Sequence, residues 1–244
     1  MKFKERCDLK CSRRDFLNGC RVALGAFVLP WGSMEVTEAY DFLPTHLVRH
    51  AVPPLPGKLT DQIGNRIYPN DGYQHLEKIT LPTGRNDESH HIGTDFNIGK
   101  EDEDLGIPVA TIMNGVCVYC DKSDTRDLGN IIIMCHQLPD SSLIYARYAH
   151  LATQFAKVGY AYKAGEVIAE VGKSGFERGF CHLHLDIANR ELFEYRYRGR
   201  FADTRWYPRW APVEFIKRYY YDPVELITEY QINREPFSSR REYI

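Results

Sequence analysis

Between residues 91 and 189 the apolar positions fall in short, β-branched runs separated by turn formers. Val109 to Met113 ends at Asn114-Gly115, and Val116 to Tyr119 follows directly. After a polar loop from Asp121 to Gly129 come Ile131 to Met134, Leu143 to Tyr148, Val167 to Val171 and His182 to Ile187. Short strands at regular spacing predict an all-β, mainly antiparallel sandwich or barrel. No long apolar period of 3.6 residues interrupts this stretch. Upstream, residues 40–85 are broken by Pro53-Pro54-Leu55-Pro56-Gly57 and by Pro69-Asn70-Asp71-Gly72. Proline cannot donate to a strand ladder, so an irregular lead-in that wraps the domain is expected there. Downstream, residues 190–244 are dense in arginine and aromatics, among them Tyr195, Tyr197, Trp206, Trp210 and Tyr219 to Tyr221. Val213 to Tyr219 reads as a short helix, which makes this extension partly helical. The chain thus divides into segments 1–39, 40–85, 86–189 and 190–244.

The first segment reads as an address. Paired arginines, Arg13-Arg14, precede Phe16-Leu17, and a mildly apolar stretch runs from Val22 to Trp31. Thr37-Glu38-Ala39 offers small residues at the first and third positions before a cut. A basic region, an apolar region and a small-residue site make an export signal. Arg-Arg followed by Phe-Leu is the twin-arginine form, read by machinery that exports folded chains. Leu17-Asn18-Gly19-Cys20 precedes the apolar stretch instead of ending it, so it is not a lipidation box. The expected location is therefore outside the cytoplasm, periplasmic or extracellular.

Composition narrows the partners. A formal net charge of -2 argues against a nucleic-acid binder, which needs a basic surface. No apolar run approaches the roughly 20 residues of a membrane span. Outside the first segment the cysteines are Cys117, Cys120, Cys135 and Cys181. Cys117-Val-Tyr-Cys120 has the spacing of a redox pair, but such pairs sit at a helix N-terminus. Its flanks, Val116, Val118 and Tyr119, favour a strand instead. Buried thiols or a structural disulfide is the expectation. Glu101 to Asp104 reads as a solvated loop tip.

Histidine and aspartate cluster in three places. The first is His91-Ile92-Gly93-Thr94-Asp95. In a straight strand His91 and Asp95 would lie roughly 13 Å apart, too far to share an ion with ligand bonds of about 2 Å. Gly93 and Thr94 disfavour a helix, so a shared ion requires a bend, and Gly93 is where the chain can turn. His90 is a neighbour that complicates the assignment. The second is Cys181-His182-Leu183-His184-Leu185-Asp186, where alternation puts both histidines on one face and both leucines in the core. One histidine can then bind metal while the other reaches a bound substrate. The third is His150, after an apolar strand. Singly, each pattern is weak.

In order, the patterns resemble the lysostaphin/LytM-type zinc endopeptidases over His91 to Ile187. The family's HxGxD stands here as His91-Ile-Gly93-Thr-Asp95-Phe96. Gly106-Ile107-Pro108-Val109, Asn114-Gly115-Val116 and Gly129-Asn130-Ile131-Ile132-Ile133 look like its turn, hairpin and strand segments. Tyr148-Ala149-His150-Leu151, Gly172-Lys173-Ser174-Gly175 and His182-Leu183-His184-Leu185 resemble its later motifs. Cys181 stands where the family usually has proline. Tyr221-Asp222-Pro223 is similar to its closing segment.

The resemblance implies a β-sheet peptidase domain with a groove and a Zn2+ ion held by His91, Asp95 and His184. It implies that His150 and His182 are a catalytic pair that does not bind the metal. The implied activity is hydrolysis of peptide cross-bridges or stem peptides of bacterial peptidoglycan. The alternative is a regulatory or scaffolding cell-wall protein that keeps the fold without cutting. All five implied site positions are filled, which favours the enzyme. One expectation is testable without a structure. Replacing Arg13 and Arg14 together by lysine should strand the protein in the cytoplasm, as read by cell fractionation; undiminished export would exclude the twin-arginine route.

Overall fold

The computed structural model describes residues 50–63, 72–78, 90–123, 128–175, 179–192 and 212–231. Residues 1–39, read as an export signal, and Tyr195, Tyr197, Trp206 and Trp210 lie outside the described residues. The strands in chain order are β1 (Thr94–Phe96), β2 (Pro108–Ala110), β3 (Gly115–Lys122), β4 (Asn130–Gln137) and β5 (Leu143–Ala149). They continue with β6 (Thr153–Gln154), β7 (Ala161–Tyr162), β8 (Val167–Glu170), β9 (Leu183–Asn189) and β10 (Tyr220–Tyr221). Among the described residues the helices include a 3-10 turn, Leu59–Asp61, and α1 (Val213–Tyr219) and α2 (Pro223–Tyr230). Among the described residues no helix is long and apolar enough to cross a membrane.

Pairing is antiparallel throughout. The larger sheet runs β1-β9-β5-β4-β3-β7, with β10 sharing the outer edge of β9. The smaller sheet runs β2-β8-β6. Neither sheet closes among the described residues, so of sandwich and barrel the open form is the one seen. The predicted apolar runs form β2, β3, β4, β5, β8 and β9, because β-branched residues fit a pleated surface. β2 stops at Ala110, however, short of Met113, and β3 runs on to Lys122, into the segment read as a polar loop. The strands that composition did not announce are β1, of three residues, and β6, β7 and β10, of two residues each. So short a segment has no alternation to read.

Alternation along β5 and β9 sorts the two faces of the larger sheet. Ile144, Ala146 and Tyr148 of β5, and Leu183, Leu185 and Ile187 of β9, enter the main core. There they meet Val109 and Ile168 of the smaller sheet, Leu55 and Leu59 of the lead-in, and Leu226 and Ile227 of α2. The opposite face of β3, β4 and β5 packs Val118, Ile131, Ile133 and Tyr145 together. β4 is thus buried on both faces. Arg147, His184 and Asp186 occupy the alternate positions, on the face turned away from the main core.

A register shift between Cys117 and Tyr119 makes Val118 an extra residue in β3. The bulge brings Cys117 and Cys120 to the same, main-core side, while Val118 and Tyr119 pack on the other. Cys117, Cys120, Cys135 and Cys181 are all free thiols. Burial pushes the Cys120 and Cys181 thiols up to about 11. Cys117, Cys135 and Cys181 are buried among apolar residues.

The described residues 50–63 of the lead-in join the rest of the fold through main-chain hydrogen bonds. Ala51 donates to the Tyr230 carbonyl, Val52 to Ile112, and Ala110 to Pro54. The acidic run departs from a purely solvated tip. Glu101 to Glu103 are exposed, but Asp104 is 1% exposed and accepts the amides of Ile98 and Gly99. In the C-terminal extension α1 spans the residues read as helix. α2 starts where Asp222 caps the amides of Val224 and Glu225 and Pro223 fills the first turn, a start signal legible in sequence.

His136 on β4 is fully buried, and its Nδ1 donates to the Asn114 carbonyl at 2.9 Å. Burial drives its pKa from 6.5 down to about 4. Between those values the unfolded chain takes up a proton that the folded chain excludes, so stability falls as pH falls. The loss attributable to this group is about 3 kcal/mol across the window. His136→Gln should flatten the acid side of the stability profile, measured as urea midpoints between neutral pH and pH about 4.5. An unchanged acid slope would exclude His136 as a source.

Candidate metal centre

The bend predicted at Gly93 is present: Ile92 and Gly93 curve, and β1 begins at Thr94. Gly93 is needed there for clearance. A Cβ on it would lie 2.2 Å from the Leu185 carbonyl oxygen, because β1 lies directly against β9. That close approach pairs Asp95 with His184 across the two strands. The bend folds His91 back over the same point, so a residue four positions from Asp95 comes within 3.3 Å of it, Nε2 to Oδ1.

Three ligand-type atoms therefore converge. Asp95 Oδ1 is 2.9 Å from His184 Nδ1, and His184 Nδ1 is 3.0 Å from His91 Nε2. All three residues are buried: His91 at 5%, Asp95 at 7% and His184 at 1% exposure. Ligands about 2.0–2.1 Å from a tetrahedral ion stand roughly 3.3 Å apart. The observed edges are close to that, and an N, N, O donor set suits zinc. His91 Nδ1 is buried without a hydrogen-bond partner, so the polar end that is engaged is the one facing the cluster. His90 stands apart from this set, bridging to Lys78.

The remaining polar neighbours fix these groups. Asp95 Oδ2 accepts the Tyr73 amide at 2.8 Å, and the Asp95 amide donates to the Tyr73 carbonyl at 2.8 Å. The His91 amide donates to Glu77, and the Leu76 amide to His91. Residues 72–78 of the lead-in are thus built into the site. His184 turns its other nitrogen, Nε2, to Asp186 Oδ2 at 3.1 Å, and Arg147 Nε donates to the same oxygen at 2.8 Å. Burial would raise the Asp95 pKa, but the charges of His91 and His182 and hydrogen bonds from His184 and His91 hold it well below the usual range. Burial opposes charge on His184 as well. Hydrogen bonds to Asp186 and Asp95 outweigh it and raise that pKa.

His150 and His182 sit beside the cluster. Their rings are 4.7 Å apart, and the His150 ring is 6.0 Å from that of His184. His150 Nδ1 donates to the Ser174 carbonyl and His182 Nδ1 to the Phe180 carbonyl, each at 3.0 Å. The carbonyls can only accept, so in each ring Nδ1 carries a proton. His182 Nε2 lies 3.8 Å from Asp95 Oδ1. Burial, then the neighbouring His182 and His184, push the His150 pKa well below the usual histidine value, which keeps it neutral in the native site. His150 holds φ at 62°, a left-handed conformation rare outside glycine.

The structure thus brings together His91, Asp95, His150, His182 and His184, all five positions implied by the sequence. Residues 89–194 match Peptidase family M23. This M23-matching stretch contains all five residues. No curated protein sequence matches the chain. Among solved structures, the chain is similar to the catalytic domain of the antimicrobial peptidase lysostaphin from Staphylococcus simulans. Identity there is 23%, with 64% of this chain and 90% of that one covered and a TM-score of 0.42. It is also similar to a zinc containing peptidase from Vibrio cholerae at 25% identity, covering 58% of this chain and 38% of that one with a TM-score of 0.41. A putative glycyl-glycine endopeptidase LytM from Ruminococcus gnavus follows at 22% identity, 59% and 53% coverage, and a TM-score of 0.39.

Three features of the M23-matching stretch and its surroundings escaped sequence reading. The Tyr73 contact is made by main chain, which has no sequence signature. The carbonyl anchors of His150 and His182 are of the same kind. The Arg147–Asp186 pair had one available signal, since Asp186 is two residues from His184 and so shares its strand face.

Gly129 underpins His150. It holds φ at +64°, and a Cβ there would come within 2.2 Å of the Ser174 main chain. Gly129→Ala should therefore destabilise the fold by about 2 kcal/mol or more, read as a lowered urea midpoint. An unchanged midpoint would show that Ser174 is not held against this turn.

Proposed function

We propose that this protein is a zinc-dependent endopeptidase that cuts peptide cross-bridges or stem peptides of bacterial peptidoglycan, acting outside the cytoplasm after export by a twin-arginine signal. The observation that supports it most is the convergence of His91 Nε2, Asp95 Oδ1 and His184 Nδ1, with two further histidines beside them. The family match and the ordered motifs support the peptidase class and the wall substrate.

His91, Asp95 and His184 would hold the ion and leave a fourth position for water. Zinc in that position supplies a bound water of lowered pKa and polarises the scissile carbonyl. The chain's own groups do the rest. A neutral imidazole can take a proton through Nε2 and return it to the leaving amine. The second imidazole, once protonated, can donate to the developing oxyanion. His150 and His182 share these two roles. Their Nδ1 anchors hold both rings in orientation throughout, so neither must reorganise during the reaction. The carboxylates near the ligands are engaged: Asp95 with its cluster, Asp186 with Arg147 and His184.

Single substitutions separate the roles. His184→Ala should lose both zinc, by metal analysis, and turnover on isolated peptidoglycan. His150→Ala and His182→Ala should keep most of the zinc and lose about 10² to 10⁴ in rate. If His182→Ala loses zinc while His184→Ala keeps it, the two roles are exchanged. If every variant keeps full activity, the peptidase reading fails. Mass spectrometry of the released fragments identifies the bond cut.

A further inference from the structure

We propose that Asp186 and Arg147 are positioning residues that aim His184 at the metal, a reading that rests on the zinc site proposed above. Arg147 and Asp186 are direct partners across β5 and β9. Their side chains are 3% and 2% exposed, and that of His184 is 1% exposed. One oxygen, Asp186 Oδ2, accepts from both Arg147 Nε at 2.8 Å and His184 Nε2 at 3.1 Å. A carboxylate oxygen in that position can only accept, so Nε2 of His184 carries a proton. Its Nδ1 is then the nitrogen that faces Asp95 Oδ1 and His91 Nε2, and it is the one that would give up a proton to bind an ion there.

The other histidines provide the contrast. His150 and His182 each donate Nδ1 to a neutral main-chain carbonyl. His184 is turned the opposite way and is held by a charged group that is itself pinned by a guanidinium. A buried ion pair kept for stability alone is a poor bargain, since an apolar replacement is often neutral or better. A carboxylate on the distal nitrogen of a ligating imidazole fixes its tautomer and makes it a stronger donor. The planar guanidinium fixes the carboxylate in turn.

Zinc affinity of the full chain, measured by competition with a chromophoric chelator, tests this. Asp186→Asn and Arg147→Met should each weaken zinc binding by about 10- to 100-fold. The zinc-free variants should remain folded by circular dichroism. Arg147→Lys should restore part of the affinity, because the charge returns without the fork. The visible absorption of the cobalt-loaded Asp186→Asn variant should differ from wild type, which a remote packing defect would not cause. Should either variant fail to fold, two-bond proton–nitrogen spectra of the zinc-loaded wild type decide the matter. Metal on Nδ1 of His184 with a retained Nε2 proton supports the relay; metal on Nε2 overturns it. Folded variants with wild-type zinc affinity would also overturn it while leaving the peptidase reading intact. A wild-type chain that binds no zinc would sink both.

Discussion

Strands β5 and β9 pair antiparallel with Arg147 opposite Asp186 and Ala149 opposite His184, and the placement of the site follows from that register. Side chains alternate with a period of two, so a slip by one residue would send His184 and Asp186 into the apolar core and Leu183 and Leu185 out of it. The leucines, together with Tyr148 and Ile187, make such a slip expensive because they are fully buried in the main core. Hydrophobic burial on one face thus holds polar chemistry in place on the other. β1 adds to the outer edge of β9 and brings Asp95 to His184. The end of β5 delivers His150. The site is assembled from three strand segments that meet at a single rung.

Much of this was legible in the residues. The β-branched runs and the Asn-Gly turn mark β2 to β5, β8 and β9 because burial and local propensity agree there. The bend between His91 and Asp95 follows from distance alone, but its cause does not. Sequence suggests that Gly93 turns because glycine can; the structure shows that it is glycine because the Leu185 carbonyl leaves no room for a side chain. That is a tertiary fact with no local trace. Helix α2 was not predicted, although Asp222-Pro223 at its start is a capping signal. Tyr220 and Tyr221 before it form β10.

What sequence reading could not reach are contacts between main-chain groups and catalytic-type side chains. Tyr73 meets Asp95 through its amide and its carbonyl, so its side chain gives no hint of the role. The lead-in looked like wrapping, and in part it is, since Leu55 and Leu59 seal the core. Its next described stretch completes the surroundings of a carboxylate. Whether a segment covers a site or belongs to it depends on hydrogen bonds and not on composition.

The four free thiols bear on whether the fold depends on an oxidant. Nothing among the described residues holds the sheets together by an oxidised cross-link. The described sheets meet through packing and hydrogen bonding instead. Desolvation shields the sulfurs, since a buried thiol offers little thiolate to an oxidant. Among the described residues no sulfur needs an oxidant to take its place in the fold.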